Sequence, residues 1–275
     1  MGLAEATIDA GQSSSGVPFL RGGSGAKRIV VLAGIDALFR RMEGPRAMRR
    51  ARAIVRLLPP CAWTIVGYGE PGAGTNLDQA VAATADAIRE AAGPPDVLVG
   101  ISFGGFIAQR LAARNPELAP RLVLLVGAHR FSDAGRKRMD RQIEQLTRGD
   151  LTRLVRENAL LFRRPWLNAL AGTALWLRGQ RLTDGIRPPA DLLAAYRGLF
   201  SDDPGRDGEV ARRISARTLI IGGSDDQFFG AEVFQETAER IAGARLVLFP
   251  RETHMLPLER AEAVAAEVRS FCREG

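Results

Sequence analysis

Cysteine, histidine and lysine are almost missing from this chain of 275 residues, each occurring only twice. The two cysteines, Cys61 and Cys272, lie far apart and without neighbouring ligand residues, so they read as reduced thiols rather than as part of a metal site. Apolar runs long enough to cross a bilayer are absent. The first sixteen residues contain no basic stretch followed by an apolar one, so no secretory signal is read and the cytoplasm is the expected compartment. Also lacking is any compact array of basic and aromatic residues, which removes nucleic acid as an expected partner. Because only Lys27 and Lys137 are lysines, the formal charge of +7 rests on arginine. A basic surface favours acidic substrates, carrier proteins or phosphate-bearing ligands.

What is present is organised around the stretch from Asp96 to Arg110, an apolar run that stops at Gly100, turns at Ser102 and restarts with helical periodicity. It reads as a buried strand, a tight turn and a helix. Gly100 and Gly104 flank the serine by two on each side, which lets backbone crowd against backbone and lifts the hydroxyl to the tip of the turn. Gly-Ile-Ser-Phe-Gly fits the G-x-S-x-G nucleophile elbow in the strand-to-helix context that motif needs.

Residues 1–16 are small and polar and read as a loose leader, and Val17–Leu20 as an edge strand; together 1–25 precede the first domain. Continuous β-branched runs predict buried strands at 28–34, 63–67, 96–100 and 121–127, alternating with helices at 45–58, 77–92 and after Ser102, with 35–40 reading as a loop. The glycine-rich loop 67–74 meets neither the dinucleotide nor the P-loop spacing, so it is not assigned a phosphate. From 131 to 215 only helical patterns occur, and strands resume at 217–223 and 244–249 before a closing helix. The predicted class is α/β: a mostly parallel central sheet with helices on both faces, a core of 26–130 plus 216–275, and an inserted helical cap at 131–215.

A serine hydroxyl needs a base to take its proton, and the base needs a third group to orient it. Of the two histidines, His129 follows a strand and reads as structural, whereas His254 sits in the loop after the last strand, at the sheet edge where ligands bind in open α/β sheets. Asp225 and Asp226, just beyond the strand at 217–223, both qualify as the orienting acid, with Asp133 a distant third choice.

The order Ser102, Asp226, His254, each at a strand end, resembles the α/β-hydrolase fold superfamily over about residues 27–271. The resemblance favours Asp226 over Asp225, because a glycine, here Gly223, introduces the acid loop. It also implies an oxyanion hole made by the backbone N–H groups of Phe103 and Ile35, and a lid formed by the inserted helices. Many members carry a histidine where this chain has Ala33. The expectation is a serine hydrolase cleaving a carboxylic ester or thioester of a small to medium apolar acid, without metal or organic cofactor. The same constellation also suits C–C bond hydrolysis, acyl transfer or cofactor-free cyclisation, and the scaffold suits a non-catalytic ligand receptor. Phe39, Phe106, Trp166 and Trp176 are candidate substrate contacts, with Phe103 and Tyr196 further aromatic candidates. Arg136, Arg138, Arg163 and Arg164 read as solvated helix faces, or as a greeting surface for an acidic acyl carrier or a carboxylate-bearing substrate.

Overall fold

The computed structural model describes residues 8–70, 76–200 and 208–274. Eight strands form one sheet: β1 (Asp9–Gln12), β2 (Pro18–Gly23), β3 (Arg28–Leu32), β4 (Ala62–Val66), β5 (Val97–Ile101), β6 (Arg121–Leu125), β7 (Arg217–Gly223) and β8 (Arg245–Phe249). Their order is β1-β2-β4-β3-β5-β6-β7-β8; β2 pairs antiparallel with both β1 and β4, and the pairings among β3–β8 are all parallel. Strands β3, β5 and β6 are buried nearly end to end, which is why their sequences are continuously apolar instead of alternating.

The chain steps from β3 out to β4, then back across β3 to β5, and from there onward to β8. Right-handed crossovers in opposite directions put helices on opposite faces of the sheet. The connecting helices of the first half are α1 (Asp36–Phe39), α2 (Gly44–Val55), α3 (Leu77–Ala91) and α4 (Phe103–Arg114). Between β6 and β7 lie α5 (Asp133–Thr147), α6 (Leu151–Ala159), α7 (Pro165–Arg178), α8 (Pro189–Phe200) and the short α9 (Glu209–Arg212). The chain closes with α10 (Gly230–Arg240), α11 (Leu256–Glu259) and α12 (Ala261–Arg273). Among the described residues no helix is long and apolar enough to cross a membrane.

Two local expectations need correction. Asp9–Gln12 is a strand, not loose leader: its residues carry no hydrophobic alternation, but it pairs along β2, and the Phe19 ring lies so close over Gly11 that a Cβ there would sit 2.4 Å from it. The segment after β3, expected as loop, includes the helical turn α1. Of the glycine-rich loop 67–74, residues 71–74 fall outside the described residues.

Cys61 and Cys272, distant in sequence, are both buried, and the Cys272 thiolate bears on the Cys61 thiol. Burial pushes the Cys61 thiol up to about 12 and raises Cys272 as well. Since the thiolate is the reactive form, native protein treated with iodoacetamide at neutral pH is expected to gain no adduct by intact mass, and two in denaturant. A native adduct on either cysteine would contradict this burial.

Candidate active site

The sheet order reverses between β3 and β5, and the crevice at their carboxyl ends is where open α/β sheets hold ligands. Ser102 stands there, with φ 51° and ψ −117°, a conformation costing a non-glycine residue about 1–3 kcal/mol. Neighbouring backbone holds it: the Ser102 N–H donates to the Leu125 carbonyl at 2.9 Å, and the Ser102 carbonyl accepts from Gly105 N–H at 2.8 Å. The turn is possible because α4 presses on β3 and β5. A Cβ on Gly104 would lie 2.4 Å from the Leu32 carbonyl oxygen, and one on Gly100 2.7 Å from the Gly104 carbonyl oxygen.

The loops carrying Asp226 and His254 are tied to each other. Gly223 packs against the Glu252 carbonyl, which accepts the Asp225 N–H at 2.9 Å, while the Ser224 hydroxyl accepts the Arg251 N–H at 2.7 Å. This arrangement aims Asp226 inward and leaves Asp225 exposed, where it accepts the Ser224 hydroxyl. Asp226 Oδ1 accepts the amides of Phe228 and Phe229 at 2.8 and 3.1 Å, and Oδ2 lies 2.8 Å from His254 Nδ1. With a carboxylate acceptor at Nδ1, that nitrogen carries the proton, so the Nε2 lone pair faces Ser102 Oγ at 2.9 Å. The Phe228 ring stands edge-on to the imidazole at 4.7 Å.

Ile35 and Phe103 line the same cavity as Ser102, and among the described residues neither backbone amide donates to a protein acceptor. The Ala33 carbonyl accepts the buried Tyr68 hydroxyl. Burial, aided by the Asp36 charge, raises that hydroxyl well above its ordinary value, so it stays a donor.

The cavity over Ser102 measures about 420 Å³, within the range of small-molecule sites. Phe39, Phe131, Met139, Leu161, Phe200 and Phe228 give it apolar walls, with Gln142 and Asn158 bonded to each other at 3.1 Å as its polar edge on the inserted helices. Of the aromatic candidates, Phe39 and Phe103 line it. Phe106 is buried one layer behind, edge-on to Phe131, and Tyr196 is buried with its hydroxyl on Gln142. Trp166 and Trp176 do not line it; they are 55% and 70% exposed on α7, a helix with no buried residue. Helical periodicity marks these side chains as apolar but not which way the helix turns.

His129 is buried away from the cavity, its Nδ1 2.8 Å from the Thr237 hydroxyl and its Nε2 accepting from Arg240. Two of the cap arginines singled out above are not simply solvated: Arg163 pairs with the buried Glu252 at 2.9 Å, and Arg138 lies over the Phe228 ring. Asp36 and its ion-pair partner Arg50, absent from the sequence-based candidates, also line the cavity.

The sequence model of the alpha/beta hydrolase family matches residues 29–267. The chain is 30% identical over 226 residues to pyrrolizixenacetamide deacetylase of Xenorhabdus hominickii, covering 76% of this chain and 80% of that protein. It is 30% identical over 183 residues to 2-hydroxymuconate semialdehyde hydrolase of Pseudomonas sp. strain CF600, covering 64% and 62%. The enol-lactonase from Burkholderia xenovorans LB400 shares the fold, with a TM-score of 0.73 at 17% identity over 97% of this chain and all of that one.

Proposed function

The chain belongs to the alpha/beta hydrolase family, and from that premise we propose that it is a serine hydrolase cleaving an ester or thioester of a small to medium apolar acid through an acyl-enzyme. The single observation that carries this reading is the unbroken relay from Asp226 through His254 to Ser102, with both links at 2.8–2.9 Å.

In the proposed reaction Ser102 Oγ attacks the acyl carbon while His254 Nε2 takes the hydroxyl proton, and Asp226 stabilises the imidazolium that results. The carbonyl oxygen becomes an oxyanion between the amides of Phe103 and Ile35, each donor contributing about 3 kcal/mol. The N-terminus of the twelve-residue α4 adds favourable potential at the same point. His254 then gives its proton to the departing alcohol or thiol, and a water deprotonated by the same nitrogen releases the acid. The apolar walls suit the acyl chain, and the inserted helices serve as the lid that keeps bulk water out. An acidic acyl carrier presenting a thioester is the finer alternative for the leaving group.

Intact-mass labelling with a serine-directed fluorophosphonate tests the reading. One adduct is expected on the wild-type protein and none on Ser102→Ala or His254→Ala. An adduct that persists in Ser102→Ala, or no adduct on the wild-type chain, would sink it.

A further inference from the structure

A second chamber, about 860 Å³, adjoins the catalytic cavity and shares Ala33, Arg40, Arg50, Ile54, Val155 and Ile186 with it. It is a groove open to solvent, bounded by the α1–α2 segment on one side and, on the other, by Arg178 of α7, Asp191 of α8 and Arg187 in the loop between them; Arg41, Arg46, Arg49, Arg50 and Arg178 are exposed and Arg187 is buried. Among the described residues seven arginines line it against three carboxylates, Glu43, Glu70 and Asp191, while Asp36, which lines the neighbouring cavity, pairs with Arg50.

The arginines divide by what they meet. Arg41 and the buried Arg187 both pair with Glu70, yet the Arg187 Nε–H is buried without an acceptor among the described residues. Among the described residues Arg46 donates to the Asp184 carbonyl at 3.1 Å. Arg49 and Arg178, both exposed, meet no carboxylate or other acceptor among the described residues. Desolvation, followed by the charges of Arg46 and Arg50, holds Arg40 below the usual guanidinium range, partly offset by the charge of Asp184, whose backbone carbonyl accepts from Arg40.

We propose that this chamber is the anion-binding half of the substrate site, taking a carboxylate or phosphate carried by the same small molecule whose ester or thioester lies over Ser102. The inference rests on the hydrolase reading above and names the substrate class within it. Guanidinium groups grip both anions bidentately, and Arg50, paired with Asp36, lines both spaces. The acyl chain then occupies the apolar cavity, and its charged end the chamber.

The test compares three p-nitrophenyl esters, of adipic acid (carboxylate-ended), ω-phosphonooxyhexanoic acid (phosphate-ended) and hexanoic acid (neutral). The wild-type protein is expected to prefer one or both anionic esters by about tenfold or more in kcat/KM, the better arm identifying the anion. That preference is expected to fall about tenfold in Arg46→Gln/Arg49→Gln and in Arg178→Gln, and to fall less in Arg46→Lys/Arg49→Lys, which retains the charge but loses the bidentate fork. Calorimetry on Ser102→Ala with the same esters reads binding without turnover, and there the anionic esters are expected to bind more tightly. Turnover of the neutral ester with no anionic preference, or a preference untouched by the glutamine variants, overturns the chamber proposal and leaves the hydrolase reading standing. No turnover of any ester alongside selective anion binding to Ser102→Ala leaves the chamber standing and removes the hydrolase reading.

Discussion

Asp226→Asn is expected to lower kcat on a chromogenic ester by about 10⁴-fold, whereas Asp225→Asn stays within about twofold of wild type. The physical difference lies in what each carboxylate holds. Asp226 Oδ2 fixes the proton on His254 Nδ1, and an amide placed there can present N–H instead of an acceptor, which forces the proton to Nε2 and removes the base from Ser102. Ten-thousandfold corresponds to about 5.5 kcal/mol of transition-state stabilisation. The two backbone amides on Oδ1 still find an oxygen in asparagine, so the variant is expected to fold, and an unchanged melting temperature separates lost chemistry from lost structure. Asp225 is exposed and accepts only the neighbouring Ser224 hydroxyl among its described side-chain contacts. Comparable losses in both variants would mean that the acid loop as a whole, and not one carboxylate, sets the activity.

Gly104→Val is expected to cost about 4 kcal/mol of stability, a large part of the 5–15 kcal/mol typical of a folded domain. The added Cβ alone would lie 2.4 Å from the Leu32 carbonyl oxygen and 2.7 Å from that of Ala33, both backbone atoms of the neighbouring strand and its loop that cannot swing aside. Helix α4 must then move off the sheet, and with it Ser102. Gly172→Ala is the control: it is a helical glycine whose nearest Cβ contact is 3.9 Å away, so alanine there is expected to leave stability unchanged or raise it by up to ~1 kcal/mol. Urea unfolding midpoints measure both. A Gly104→Val protein as stable as wild type would show that α4 does not need its close seat on β3.

The parallel strands were legible because a strand buried on both faces announces itself as a continuous run, and Arg121–Leu125 or Arg217–Gly223 offers no competing helical period. Ser102 was legible for a related reason: close backbone approach demands glycine at fixed offsets, so the geometry is written into composition. The strand Asp9–Gln12 was not, because its pairing with β2 depends on an edge supplied elsewhere and on one ring lying across one glycine. Trp166 and Trp176 misled because an apolar side chain in a helix reports burial only on average, and α7 keeps none of its residues buried.

By itself, then, the sequence determined the α/β class, the nucleophile turn and the order of the three catalytic candidates, all properties carried by local spacing or by chain order. Only the tertiary structure decided which of two adjacent aspartates turns inward, which aromatics meet the cavity, and that arginines from the α1–α2 segment and from the inserted helices face one another across a single chamber. Those facts depend on side-chain direction and on contacts between segments distant in sequence, and a rotation of one helix by a single residue changes them while leaving its hydrophobic period intact.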